Sequence, residues 1–290
     1  MNKRCFAPLI ILLLFAACAA QAEDRFFDSA GVRIRYIVEG KGDPVVLLHG
    51  LGLNIELNWA DTGIIKELAD NYQVVAMDNR GHGKSGRPHD PQQYGVHRMA
   101  DDVIRLMDHL GIAKAHVVGY SLGGRIVGVL LAEYPGRLRT AVIGGAGLVN
   151  EHEIQERRNL MTELADSLEQ GKGIGPLLVS LTPAGQPPPT AAQMEAMNKA
   201  FLARNDPLAL AAFARGDLAV QPSEAKLRAN RVPALALVGD LDARKTDAEY
   251  LARVTPHMSL VVIPAANHQS AVRNPEFLKS LKAFLAAHSN

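Results

Sequence analysis

A chain of 290 residues, 48% hydrophobic and 21% charged, is long and apolar enough to bury one sizeable core. Its formal net charge of +1 argues against a nucleic-acid partner, which a basic excess or stripe would announce. High apolar content with low net charge argues equally against disorder.

The first segment has the form of a secretory leader. Lys3 and Arg4 precede the apolar run Phe6 to Ala17, and Ala20-Gln21-Ala22 offers a small-residue cleavage signal before Glu23-Asp24. The run falls short of the roughly 20 apolar residues that span a bilayer. Residues 1–22 are therefore read as a signal peptide cut after Ala22, with an uncleaved anchor or lipidation at Cys18 as alternatives. In the second case Phe15-Ala16-Ala17-Cys18 resembles a bacterial lipobox, with Phe where Leu is usual. Cleavage removes Lys3 and Arg4 from the 31 basic residues, leaving 29 against 30 acidic ones. It also removes Cys5 and Cys18, so the mature chain would hold no thiol nucleophile and no disulfide. The expected location is periplasmic or secreted, with no stable membrane span once the leader is cut.

From there strands and helices alternate. Arg25 to Asp28 and the alternating Val32, Ile34, Tyr36 and Val38 predict a hairpin turning through Ser29-Ala30-Gly31. Continuous apolar runs follow at Val45 to Leu48, Gln73 to Met77, His116 to Val118, Thr140 to Ile143, Ala234 to Val238 and Leu260 to Ile263. Such runs fit strands buried on both faces of a parallel sheet. Between them, Ile64, Ile65 and Leu68 share one helical face. So do Met99, Val103, Leu106 and Leu110 before Gly111, and Ile126, Val129, Leu130 and Tyr134 before Pro135. A last helix carries Phe277, Leu278, Leu281 and Leu285. This alternation predicts an α/β fold with a mostly parallel sheet flanked by helices.

The alternation breaks after Leu148. Residues 149–231 hold helical stretches at Glu153 to Gly171 and Ala191 to Leu202, divided by the proline-rich loop Thr182 to Pro189, and no convincing strand. They read as a helical insert between two parts of one core, residues 23–148 and 232–290. Leu177, Leu178, Met194, Met197 and Leu202 could line an acyl pocket; packing of the insert's own helices is the simpler role.

The chemistry concentrates at strand ends. Gly119-Tyr120-Ser121-Leu122-Gly123 fits the G-x-S-x-G elbow, with an apolar strand running in and an apolar-faced helix running out. Ser121 is the predicted nucleophile. A serine hydroxyl needs a base, and the base an orienting carboxylate. His268, in the loop after the last apolar run, is the predicted base. For the acid, Asp242 is preferred over Asp240, since a residue three beyond Gly239 has turned the corner toward the neighbouring loop; Asp240 is then a turn residue and Asp247 a remote third choice. Two aimed N–H groups must meet the oxyanion. They are assigned to Leu122, at a helix N-terminus, and to Leu51 in the loop His49-Gly50-Leu51-Gly52. His49 is given a loop-shaping role rather than that of a second base.

Taken together these motifs, with Asp78-Asn79-Arg80-Gly81-His82-Gly83-Lys84-Ser85, resemble the α/β-hydrolase superfamily over nearly the whole mature chain. The resemblance implies an eight-stranded, mostly parallel sheet, a cap domain at 149–231, and a tight structural turn at Asp78 to Ser85. A serine nucleophile excludes the haloalkane dehalogenase and epoxide hydrolase branches, which use Asp. Asn267 stands where glycine often precedes the histidine, and Asn tolerates left-handed backbone. Gln269 stands where carbon–carbon bond hydrolases often have Trp. The expected function is cleavage of a small carboxylic ester through an acyl-enzyme, with no cofactor and no metal. C–C bond hydrolysis, lactonase or cofactor-free perhydrolase activity with the same triad are the enzymatic alternatives. A non-catalytic binding protein on the same scaffold is the alternative of another class.

Overall fold

Eight strands make one sheet in the computed structural model, which describes residues 22–217 and 221–289. They are β1 (Arg25–Ser29), β2 (Val32–Glu39), β3 (Asp43–Leu48), β4 (Tyr72–Met77), β5 (Ala115–Tyr120), β6 (Leu138–Gly144), β7 (Ala234–Gly239) and β8 (Met258–Ile263). Their spatial order is β1-β2-β4-β3-β5-β6-β7-β8. β1 and β2 form the predicted hairpin, and β2 joins β4 antiparallel; all pairings from β4 to β8 are parallel. Of the predicted leader only Ala22 is described, and Cys5 and Cys18 lie outside the described residues.

Among the described residues ten α-helices connect and cover the strands: α1 (Ile64–Ala69), α2 (Val96–His109), α3 (Leu122–Glu133), α4 (Glu151–Glu169), α5 (Gly175–Ser180), α6 (Ala191–Leu202), α7 (Pro207–Asp217), α8 (Glu224–Arg228), α9 (Lys245–Val254) and α10 (Pro275–Ala286). Side chains alternate across a strand, so a run apolar at every position must be covered on both faces. That is what β3 and β4 do. Val46, Leu48, Val75 and Met77 pack with Val103, Leu106 and Ile126 of α2 and α3 on one side. Val45, Leu47, Val74 and Ala76 pack with Ile64 and Leu68 of α1 and with Phe277 and Leu281 of α10 on the other.

β8 departs from the expectation. Its run Leu260 to Ile263 reads as doubly buried, but β8 is the sheet edge and its residues are mostly part-exposed, Val262 by 38%. β8 has one strand neighbour, β7, and α9 and α10, which belong to opposite layers, leave it partly uncovered, so apolar composition there does not bring full burial.

Helices α4 to α8 are all inserted between β6 and β7. α4 packs on α5 and α7, and α7 rests on the turn Pro91–Gln93. α6 starts at a capping box in which Thr190 and Gln193 satisfy each other's backbone N–H groups. The last insert helix, α8, packs on α3 and α9 of the main body. Among the described residues no helix is long and apolar enough to cross a membrane.

Candidate active site

β5 ends at Tyr120 and α3 begins at Leu122, which leaves Ser121 alone to make the turn. Its backbone sits at φ 53°, ψ −112°, a conformation that costs a non-glycine residue on the order of 1–3 kcal/mol. The turn is held by Ser121 N–H donating to Gly144 O at 2.7 Å. Two glycines make it possible. A Cβ on Gly119 would lie 2.1 Å from Gly123 O, and one on Gly123 would lie 2.0 Å from Leu48 O. Neither distance is tolerable, so the glycines let α3 start directly against β3 and β5.

The strained turn presents the hydroxyl to His268. Ser121 Oγ lies 3.0 Å from His268 Nε2, and His268 Nδ1 lies 3.0 and 3.1 Å from the two carboxylate oxygens of Asp242. With Nδ1–H donating to Asp242, Nε2 is left as the acceptor for the serine proton. Asp242 is buried, and its Oδ1 also accepts from Arg244 N–H at 2.8 Å, which fixes the carboxylate. Asp240 is exposed and points elsewhere; its Oδ1 accepts from Ala266 N–H at 3.1 Å, and backbone hydrogen bonds from Ala265 and Ala266 outweigh its slight desolvation to hold its pKa below the ordinary value. The structure thus brings Ser121, His268 and Asp242 together and leaves Asp240 in the turn.

The loop carrying His268 takes its left-handed backbone at another residue than Asn267. Asn267 does not take up the left-handed backbone; Ala265, two residues earlier, does, at φ 53°. Asn267 instead uses its side chain. Its Oδ1 accepts from Gln269 N–H and Ser270 N–H, both at 3.0 Å, in a turn that holds the next residues. Tyr120, which the sequence gives no reason to single out, donates its hydroxyl to His268 O at 2.5 Å. Burial, with Asp242 nearby, pushes that phenol well above its ordinary pKa, so it stays a donor.

Leu51 and Leu122 lie in the wall of the same cavity as Ser121 and His268. Leu122 opens α3, where N–H groups have no carbonyl one turn back. The Leu51 loop is braced at several points. Gly50 N–H donates to Asn58 Oδ1 at 2.9 Å, from the π-turn Glu56–Ala60 that the sequence does not announce. Asn205 Nδ2 reaches Gly52 O at 3.1 Å from the insert. His49 is fully buried, hydrogen-bonded to Gly50 O through Nδ1 and accepting Asn79 N–H at Nε2. Burial lowers its pKa and keeps it neutral, which suits a brace between the loops after β3 and β4. Asp78 plays the matching part in the next turn, accepting Ile55 N–H at 2.9 Å and Lys84 N–H at 2.8 Å.

The cavity beside Ser121 has a volume of about 140 Å³ and is walled mainly by apolar residues, including Ile143, Leu148, Met161 and Phe213. Leu177 of the insert faces it. Leu178 is buried, while Met194, Met197 and Leu202 are half-buried and are not part of its wall. Sequence reasoning missed its charged lining: Arg125, Arg157, Arg244 and, as more than a spare acid, Asp247. Arg125 pairs with Asp217 at 2.5 Å and Arg157 with Asp247 at 2.7 Å, each pair joining the main body to the insert. Among the described residues no group of three His, Cys, Asp or Glu could hold a metal ion.

Burial pushes the Asp247 carboxyl up to about 6, against the pull of Arg157 and helped by repulsion from Glu153 and Asp242. An acid with a raised folded pKa contributes stability below its unfolded value and loses it as pH rises through the folded one. Arg157→Ala removes the counter-charge and lifts that pKa further. The variant is expected to lose about 1–3 kcal/mol at pH 8, where Asp247 would be a buried unpaired charge, and less at pH 5, where it is protonated in both proteins. Thermal denaturation at the two pH values checks this.

Residues 43–274 match the family model for the alpha/beta hydrolase fold. The chain belongs to that family. Among its curated relatives, a 2-hydroxy-6-oxo-6-(2'-aminophenyl)hexa-2,4-dienoic acid hydrolase from Metapseudomonas resinovorans is 40% identical over 137 residues, 45% of each chain. The dihydrolipoyllysine-residue acetyltransferase component of an acetoin cleaving system from Cupriavidus necator is 39% identical over 132 residues, 44% of this chain and 33% of that one. The chain therefore spans less than half the length of these relatives. Solved alpha/beta hydrolases align more completely. An enol-lactonase from Burkholderia xenovorans superposes with a TM-score of 0.73 at 24% identity, over 90% of this chain and 100% of its own. An esterase from Thermogutta terrifontis does so with a TM-score of 0.73 at 25% identity, over 93% of this chain and 100% of its own. At such identity the enol-lactonase speaks for the fold alone.

Proposed function

We propose that this alpha/beta hydrolase cleaves a small carboxylic ester by acyl transfer through Ser121. The observation that carries the reading is the line Ser121 Oγ, His268, Asp242, with 3.0 Å at each link, opening on an apolar cavity. His268 Nε2 takes the serine proton as Oγ attacks the carbonyl carbon. Asp242 keeps the imidazole in the required tautomer and stabilises its charged form. The carbonyl oxygen, now negative, is met by the N–H groups of Leu51 and Leu122, the second helped by the N-terminal end of the α3 dipole. Collapse of the intermediate breaks the ester C–O bond, and His268 returns the proton to the departing alcohol. Water then enters, gives its proton to His268 and releases the acid, restoring Ser121. The same attack opens a lactone, which is an internal ester.

Cavity volume limits the acyl group. About 140 Å³ is close to the size of an engineered cavity that holds benzene. The acetate and butyrate esters of p-nitrophenol are therefore expected to exceed the laurate ester in kcat/KM by about tenfold or more. A chain-length series measured by nitrophenol release checks this, and a preference for laurate would overturn the small-acyl reading.

A further inference from the structure

We infer that the cavity accepts esters carrying a free carboxylate, and that Arg244 is the residue that reads it. This rests on the ester-hydrolase reading above and names its substrate class: half-esters of short dicarboxylic acids.

Three guanidinium groups line an otherwise largely apolar cavity, and two of them are already matched. Arg125 is held by Asp217 at 2.5 Å and Arg157 by Asp247 at 2.7 Å. Arg244 differs. Among the described residues its side chain has one hydrogen-bond partner, Ser180 Oγ at 3.1 Å, and no carboxylate. Ser180 closes α5, between the cavity residues Leu177 and Leu181, and its own hydroxyl donates to Leu177 O at 2.8 Å. Ser180 thus tethers the guanidinium to the insert without neutralising it. A guanidinium presents five N–H donors in a planar fork that matches a carboxylate in two-point geometry. Half-buried beside apolar walls, it can offer those donors to an anion entering the cavity.

The backbone places this group close to the chemistry. Arg244 is two residues beyond Asp242, and its own N–H fixes the Asp242 carboxylate. The side chain is therefore anchored to the same rigid turn that orients His268. A carboxylate on Arg244 would hold one part of a short substrate while its ester carbonyl meets Ser121, which lines the same cavity.

The test compares monomethyl glutarate with neutral dimethyl glutarate, with p-nitrophenyl acetate hydrolysis read in parallel. The wild-type enzyme is expected to favour the half-ester by about tenfold or more in kcat/KM, the order of a hydrogen bond to a charged group. Arg244→Gln should collapse that ratio by at least tenfold, and Arg244→Lys should keep part of it. Free glutarate should raise the Tm of the wild type and not that of Arg244→Gln. A ratio near one in the wild type, or one unchanged by Arg244→Gln, overturns the inference. If p-nitrophenyl acetate is cleaved while the ratio is one, the carboxylate site fails and the ester-hydrolase reading stands. If no ester is cleaved while glutarate stabilises the wild type and not Arg244→Gln, the hydrolase reading fails and the anion site stands. Should Arg244→Gln not fold, the wild-type ratio and Arg244→Lys decide.

Discussion

Ser121→Ala is expected to lower kcat for p-nitrophenyl acetate by about 10⁴–10⁶-fold while leaving the fold intact. The expected size follows from what the substitution removes. Ser121 Oγ is the atom 3.0 Å from His268 Nε2 in the cavity wall, so without it there is no acyl-enzyme and the residual rate comes from binding and oxyanion contacts alone. Stability should change little. The Ser121 side chain is half-buried, and Ala keeps the backbone constraint at φ 53° that Ser already bears. Steady-state kinetics beside a thermal melt separates the two effects. A variant that keeps wild-type kcat would show that another group carries the reaction.

Asp242→Asn should cost about 10⁴-fold in kcat, and Asp240→Asn no more than a fewfold change. Asp242 faces His268 Nδ1 with both oxygens, at 3.0 and 3.1 Å, and its side chain is fully buried. An amide there turns an NH₂ group toward the ring. Nδ1 must then accept, the proton moves to Nε2, and Nε2 can no longer take the serine proton. Asp240 accepts backbone N–H groups around its own turn, Ala265 and Ala266 among them, so its substitution acts on that turn and not on the base. The two variants thus form an internal control within one turn, and comparable losses from both would contradict the assignment of Asp242.

The frame of the fold and the three side chains of the line are local in the chain and therefore legible. Apolar runs set the strands, and Ser121, Asp242 and His268 each follow directly on such a run or the turn beyond it. Contacts between distant segments are not legible in this way. Arg157 and Asp247 stand 90 positions apart, and in the helical pattern of α4 an arginine looks like any solvated charge. Arg244 stands two residues beyond Asp242, and its position in the acid's own turn is the available signal. β8 shows the converse error: composition reports how apolar a strand is and not whether a neighbour covers both faces. The His268 loop shows that a residue able to adopt left-handed backbone need not be the one that does. Ala265 takes that role, while the Asn267 side chain is committed to three groups of the following turn.

The central claim is that Ser121 is a nucleophile activated by His268. It is tested most directly by treating the active protein with a fluorophosphonate ester and mapping the adduct by peptide mass spectrometry. The account predicts one adduct, on Ser121, formed in step with loss of esterase activity and absent from Ser121→Ala. Unlabelled Ser121 in a protein that still hydrolyses p-nitrophenyl acetate would contradict it.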